Sequence, residues 1–331
     1  FGLFAICIWF LLDQDETLLK KIFISMCICF IILIIDGFIQ FFFHSNILGF
    51  KISETGRISS FFNTELVLGS YLSRLFPIFF GLSILLFNKK KKYLILVSVI
   101  FVLVETLIFV SGERAALFYT NLSAIYIILC IKNFKKLRLI TFLASIGLIF
   151  IVSYFSPSYK ERVVDLTMSQ MGINKMGLAN TDTNRYLFSK QHTHHFLSAK
   201  KMFESDILFG IGIKNFKNFC SKDEYKISNI SCSTHPHNTY VQLLAETGIF
   251  GFLYIVGVLI YFSMLSLKFI FTPSKKANLL FDFRVCIVSA IIISLWPLIP
   301  TGSFFNNWLN IIYFLPLGIF LWTIKNNKKY S

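Results

Sequence analysis

Residues 22–43 read IFISMCICFIILIIDGFIQFFF, and this stretch decides the fold class. It is almost free of charge and slightly exceeds the ~20 apolar residues that an α-helix needs to cross the hydrocarbon of a bilayer. Lys20 and Lys21 stand directly before it. Similar runs recur, and the expected spans are about 1–12, 22–43, 66–87, 93–110, 115–131, 138–154, 239–267, 285–299 and 309–324. Composition agrees: 55% of the 331 residues are hydrophobic, 40 are Phe, and only 15% are charged. A water-soluble chain of this length would expose more charge. The expectation is an all-α polytopic membrane protein with about nine transmembrane helices, forming a single integral membrane domain over 1–331. The chain opens with Phe1 inside an apolar run, so an N-terminal segment is expected to be missing.

The net charge of +15 is explained by where it sits. Lys and Arg gather between apolar runs: Lys20–Lys21, Lys89 to Lys92, Lys132 with Lys135, Lys136 and Arg138, Lys268 with Lys275 and Lys276, and Lys325 with Lys328 and Lys329. These blocks fall on alternate connections, as cytoplasmic loops do under the positive-inside rule. A nucleic-acid partner is therefore not expected; membrane lipids are. The opposite face receives 44–65, the tight turn 111–114, a long and partly helical loop at 155–238, and 300–308. Within that loop, 198–203 reads as an amphipathic turn or two before Gly210-Ile211-Gly212 breaks it. Cys7, Cys27, Cys29, Cys130 and Cys286 lie in spans as small apolar groups. Cys220 and Cys232 share the long loop, where an oxidising compartment would let them pair. No CxxC occurs and the loop histidines lack zinc-site spacing, so no metal is expected.

Polar residues near the membrane collect on the non-cytoplasmic side, where their desolvation cost argues for partners or function. Arg57 could anchor its loop or bind a ligand. Arg74 could snorkel, pair with Glu65, or act on a substrate. Arg114, on a tight turn between spans, is expected to point into the bundle mouth. Arg185, His192, His194 and His195 lie in the long loop, and His235 and His237 close it. Pro236 suits the first position of a helix. His237 would then face unpaired N–H groups and the positive end of a helix dipole, which keep an imidazole neutral and welcome phosphate oxygens. A neutral base beside an anion site suits attack by a hydroxyl while a phosphate leaves.

The same residues resemble a known family. His237-Asn238, nine residues, then Gly248-Ile249-Phe250-Gly251 is similar to the signature of the O-antigen ligase and O-antigen polymerase superfamily. Arg57, Ser59, Ser60, Phe61 and Phe62 resemble its Arg-x-Ser-Gly-x-Phe element. Ser111-Gly112-Glu113-Arg114-Ala115 resembles its Ser-Gly-x-Arg-Gly turn. Ala199, Met202, Phe203, Gly210-Ile211-Gly212 and Asn215-Phe216 resemble the segment ahead of the terminal histidine. The ordered set spans roughly 57–265, and singly each motif is weak.

The resemblance implies a GT-C-like enzyme of the bacterial inner membrane with a periplasmic active site and no metal or other cofactor. Its donor would be an undecaprenyl-diphosphate-linked glycan. The acceptor would be lipid A-core for a ligase, or another lipid-linked glycan for a polymerase; the resemblance leans to ligase. Carried over, His237 is the general base and Arg114 binds the donor diphosphate. A second essential arginine falls where this chain has His192, leaving Arg185, His192 or His195 to complete the phosphate site. Arg57, Asn238, His195 and Arg74 are expected around the substrate. A transporter or flippase is the rival class, but it would show ionisable groups at mid-membrane and often paired halves. A non-catalytic scaffold would not need histidine and arginine at the bundle mouth.

Overall fold

The computed structural model describes residues 1–88, 90–170, 189–273 and 277–326. The described residues are helical with no β-strand, only an isolated bridge between Ser45 and Lys51. In chain order come α1 (Gly2–Gln14), α2 (Thr17–Phe43), α3 (Leu68–Phe87), α4 (Lys91–Val110), α5 (Arg114–Cys130) and α6 (Lys135–Phe155). A short α7 (Pro157–Lys160), a π-helical turn (Glu161–Asp165) and α8 (Leu166–Gln170) follow. Beyond them lie α9 (Lys190–Ser205), α10 (Phe216–Phe219), α11 (Thr239–Phe271), α12 (Leu279–Ser294) and α13 (Asn307–Lys325).

Six of these helices are long and apolar enough to cross a membrane: α2, α3, α4, α6, α11 and α13. The chain is a polytopic α-helical membrane protein. The expected span at 285–299 is shifted in the structure: α12 starts at Leu279 and stops at Ser294. Pro297 and Pro300 account for the early stop, since a proline disfavours helix at the residue before it and cannot donate within one.

The fold divides into two compact units. One comprises Phe1–Val163, Phe262–Ser294 and Ile312–Ser331; the other comprises Val164–Tyr261 and Leu295–Ile311. In the first, α3 is the hub, packed against α2, α4, α5 and α12. Its phenylalanines do much of that packing: Phe79 stacks on Phe23 at 4.9 Å and Phe76 meets Phe101 at 4.7 Å. At the end of α2, Asp36 accepts from Ser60 Oγ (2.5 Å), Asn46 Nδ2 (3.2 Å) and Ile47 N (3.0 Å). Gln40 Oε1 accepts from the Ser59 and Ser60 amides. This clamp holds the loop that carries Arg57. It also holds Ser60 at φ +52°, in the place where the resembling motif has a glycine.

The core of the second unit is Ala199, Met202, Phe216, Cys220, Tyr225 and Ala245, and Cys220 is disulfide-bonded to Cys232. Its decisive feature is Gly248, where α11 breaks at φ +63°, ψ −160°. The loop after α9 enters the break. Ile211 N and Gly212 N donate to the Ala245 and Glu246 carbonyls, and Ile249 N donates to the Ile207 carbonyl. Backbone groups orphaned by a broken helix are thereby satisfied without water. A Cβ on Gly248 would lie 2.2 Å from the Leu208 carbonyl oxygen. Gly248→Ala should therefore destabilise the protein by about 3 kcal/mol, from strain at positive φ plus the collision. Thermal unfolding in detergent, with Gly257→Ala as the control in open space on the same helix, checks this. Equal stability of the two variants would refute the account of the break.

Candidate functional site

The segment between Gly210 and α11 is organised by Asn238 and Thr301. Asn238 Oδ1 accepts from the Tyr240 and Val241 amides, and its Nδ2 donates to the Pro297 carbonyl at 2.7 Å. Asn238 is thus the N-cap of α11, a place its carboxamide suits well. Pro236 is not the first helical residue, contrary to expectation, because the cap lies two positions later. His237, just before the cap, takes φ +59°, a left-handed conformation uncommon for a residue with a Cβ. It is held there from the α12–α13 connection: Thr301 N donates to the His237 carbonyl at 2.8 Å. His235 Nε2 meets the Thr301 carbonyl at 3.1 Å, and Thr239 Oγ1 meets Thr301 Oγ1 at 3.1 Å.

The His237 ring is half-buried and lies among imidazoles. Ring centres are 4.2 Å away for His235, 5.3 Å for His195 and 5.5 Å for His192. Its Nε2 is 3.0 Å from Ser233 Oγ. α9 delivers the other two rings: Ser189 caps its first turn by accepting from the His192 amide, and His192 Nδ1 lies 2.7 Å from Ser189 Oγ. His195 is fully buried on the inner face of α9, with the Ile230 backbone beside its ring.

Burial, followed by repulsion from His235, His192 and His195, pushes the proton affinity of His237 down to about 3. Burial also lowers His235 and His195. The ring is neutral at pH 7, but the cause is desolvation and its companion rings; the expected helix-end effect is not what dominates. Among the described residues no group of three His, Cys, Asp or Glu side chains is arranged to hold a metal ion.

Arg57 and Arg114 come together in the other unit, on the turn between α4 and α5. Glu113 is the organiser there. Its carboxylate accepts from Gly69 N (2.7 Å), Ser70 N (3.0 Å) and Ser70 Oγ (2.9 Å), capping α3 from a distance. Arg57 Nη2 lies 3.9 Å from the same carboxylate, and also donates to the Leu66 carbonyl at 3.0 Å. Burial raises the Glu113 carboxyl while Arg57 and the Gly69 and Ser70 donors pull it back. Arg114, the first residue of α5, is exposed as a residue, while its guanidinium is partly desolvated beside Arg162. Gly112, at φ +68°, lets the turn close.

Arg74 is in neither cluster. It is buried in α3, donates to the Ser70 carbonyl at 3.3 Å and lies over the Tyr119 ring at 4.8 Å. No ion pair joins it to Glu65, which was the expected alternative. Arg185 lies outside the described residues. The sequence reading missed Thr301, Glu113 as organiser, and Arg162, whose Nη1 donates to the Thr55 carbonyl at 3.2 Å. Only Glu113 carried a signal, its place inside the Ser111–Ala115 element.

The chain is thus a multi-helix membrane protein with a desolvated histidine at a helix cap in one unit and, in the other, Arg57 and Arg114 near the turn between α4 and α5. The family comparison is specific: the O-antigen ligase family model matches residues 97–256. Over those residues, a little under half of the chain, the protein is similar to the O-antigen ligase family. The match contains Arg114, His195, His237, Asn238 and Gly248 and excludes Arg57, Arg74 and Thr301. No curated protein matches the chain.

Because folding keeps His237 neutral, the native state binds fewer protons than the unfolded state between pH 6.5 and about 3. Its contribution to stability is fully present above pH 6.5 and is lost as pH falls toward 3. Melting temperature should decline with acidification through that window, less steeply in His237→Gln. An identical acid slope in the variant would contradict the depressed proton affinity.

Proposed function

We propose that the protein transfers a glycan from undecaprenyl diphosphate to an acceptor hydroxyl with inversion at the anomeric carbon, and that the acceptor is lipid A-core. The observation that carries this reading is the neutral, strained His237 at the cap of α11, inside the family-matched segment. The lysine blocks on alternate connections support an inner-membrane topology with the 111–114 turn and the 155–238 segment on the periplasmic side. The polymerase reaction differs only in its acceptor, a second lipid-linked glycan.

In the proposed step the acceptor oxygen attacks the anomeric carbon while the bond from that carbon to the diphosphate oxygen breaks. The acceptor proton passes to His237, and the electron pair leaves with the diphosphate. A ring with low proton affinity is a weak base, so the substrate must strengthen it; an anionic donor nearby raises imidazole basicity toward neutrality. Arg114 holds the leaving diphosphate through paired guanidinium hydrogen bonds, as a counter-charge that need not be a metal. Asn238 and His195 keep His237 in place, and Arg57 supports the turn that carries Arg114.

His237→Ala should lower transfer by about 10²- to 10⁴-fold with expression unchanged, read as glycan-capped lipid A on a gel. Arg114→Lys keeps the charge but loses the fork, and a loss of about 10²-fold is expected. A normal glycan ladder from His237→Ala would overturn the base assignment; one from Arg114→Lys would reduce Arg114 to a structural role.

A further inference from the structure

Three arginines converge on the turn at Gly112, and only two of them belong to the motifs discussed so far. The third, Arg162, comes from the π-helical turn Glu161–Asp165 after α7. A Cβ on Gly112 would lie 2.7 Å from Arg162 Nε, 2.9 Å from Arg162 Cδ and 3.4 Å from Arg57 Cγ. Glycine here therefore admits both side chains to the same spot, beside Arg114. The Arg162 guanidinium is fixed at one end by the Thr55 carbonyl (3.2 Å), and its Nε is buried with no hydrogen-bond partner among the described residues.

Gathering these cations is electrostatically costly. Burial is the main influence lowering Arg57, and Arg162 and Arg114 both add repulsion. Burial and then Arg162 do the same to Arg114. Arg114 also sits at the positive end of the α5 dipole, the wrong end for a cation. The nearby Glu113 carboxylate is committed to the amides that open α3. Such an arrangement is relieved by a polyanion with more than one oxygen-bearing centre. One guanidinium would suffice for a monophosphate; arms from three segments suit two linked phosphates.

We propose that Arg162 is a direct ligand of the donor diphosphate, completing with Arg57 and Arg114 an anion site built around Gly112. This rests on the reading that Arg114 engages a lipid diphosphate. Arg162 belongs to the group-transfer machinery as a binding residue; it forms and breaks no covalent bond.

The test uses the full-length protein in nanodiscs, with undecaprenyl diphosphate and undecaprenyl monophosphate as the two probes. Arg162→Ala should weaken diphosphate binding at least tenfold and monophosphate binding by much less, with a shallower dependence of affinity on salt. Lys160→Ala, an exposed neighbour, should match wild type with both probes. If Arg162→Ala loses its thermal transition, Arg162→Gln replaces it; it keeps a donor for the Thr55 carbonyl but no charge, and the same loss of diphosphate binding is expected. Wild-type diphosphate affinity in the folded Arg162 variant, alongside a loss in Arg114→Ala, would overturn the proposal and leave the donor reading standing. Wild-type affinity in both variants would sink the donor reading itself. An equal loss for monophosphate and diphosphate would also overturn the proposal, since it would mark a generic electropositive surface.

Discussion

The contact between the Gly248 backbone and the Leu208 carbonyl is the constraint on which the histidine site depends. A helix near a membrane cannot be interrupted without leaving amides and carbonyls to be satisfied, and water is scarce there. The 206–214 loop supplies those partners, which makes the break stable and fixes where it falls. Glu246, in the last turn before the break, accepts from the Lys214 and Phe216 amides and ties the same loop down again. The helical piece from Thr239 to the break is then bounded by two fixed points, the Asn238 cap and Gly248. That is the physical content of the spacing between His237-Asn238 and Gly248: it sets how many helical residues separate the cap from the clamp. His237 inherits its position, and Thr301 holds its unusual backbone.

The two clusters solve opposite electrostatic problems. Around His237 the fold disfavours charge: imidazoles are packed together, and burial lowers the proton affinity of His237, His235 and His195. Around Gly112 charge is retained, because guanidiniums stay protonated even when crowded. Glu113 limits the resulting repulsion but is itself occupied by the start of α3. The first environment keeps a ring neutral at the cost of its basicity, and the second keeps cations beside one another. Each is built from residues distant in sequence but local within its own unit.

Much of the architecture was legible because apolar run length reports directly on helices. The segments expected near 22–43, 93–110 and 138–154 lie within α2, α4 and α6. The error at α12 came from counting Trp296, Pro297 and Leu298 as apolar span residues while underweighting the prolines. At the site, Pro236 looked like a helix start; Asn238 prevailed because a side chain that accepts two amide hydrogens stabilises the end more than a preset φ does. Thr301 was invisible since its role is a backbone contact across 64 residues of chain. Arg162 read as one of several loop charges because its neighbours, Thr55 and Gly112, are defined only by the fold.

The most direct test of the central claim is the stereochemistry of a single turnover. Purified protein would receive an undecaprenyl-diphosphate-linked glycan of known anomeric configuration and a lipid A-core acceptor, and the new linkage would be assigned by NMR couplings. Direct displacement with His237 as base predicts inversion at the anomeric carbon in every product. Retention of configuration, or a glycan covalently attached to the protein, would contradict it.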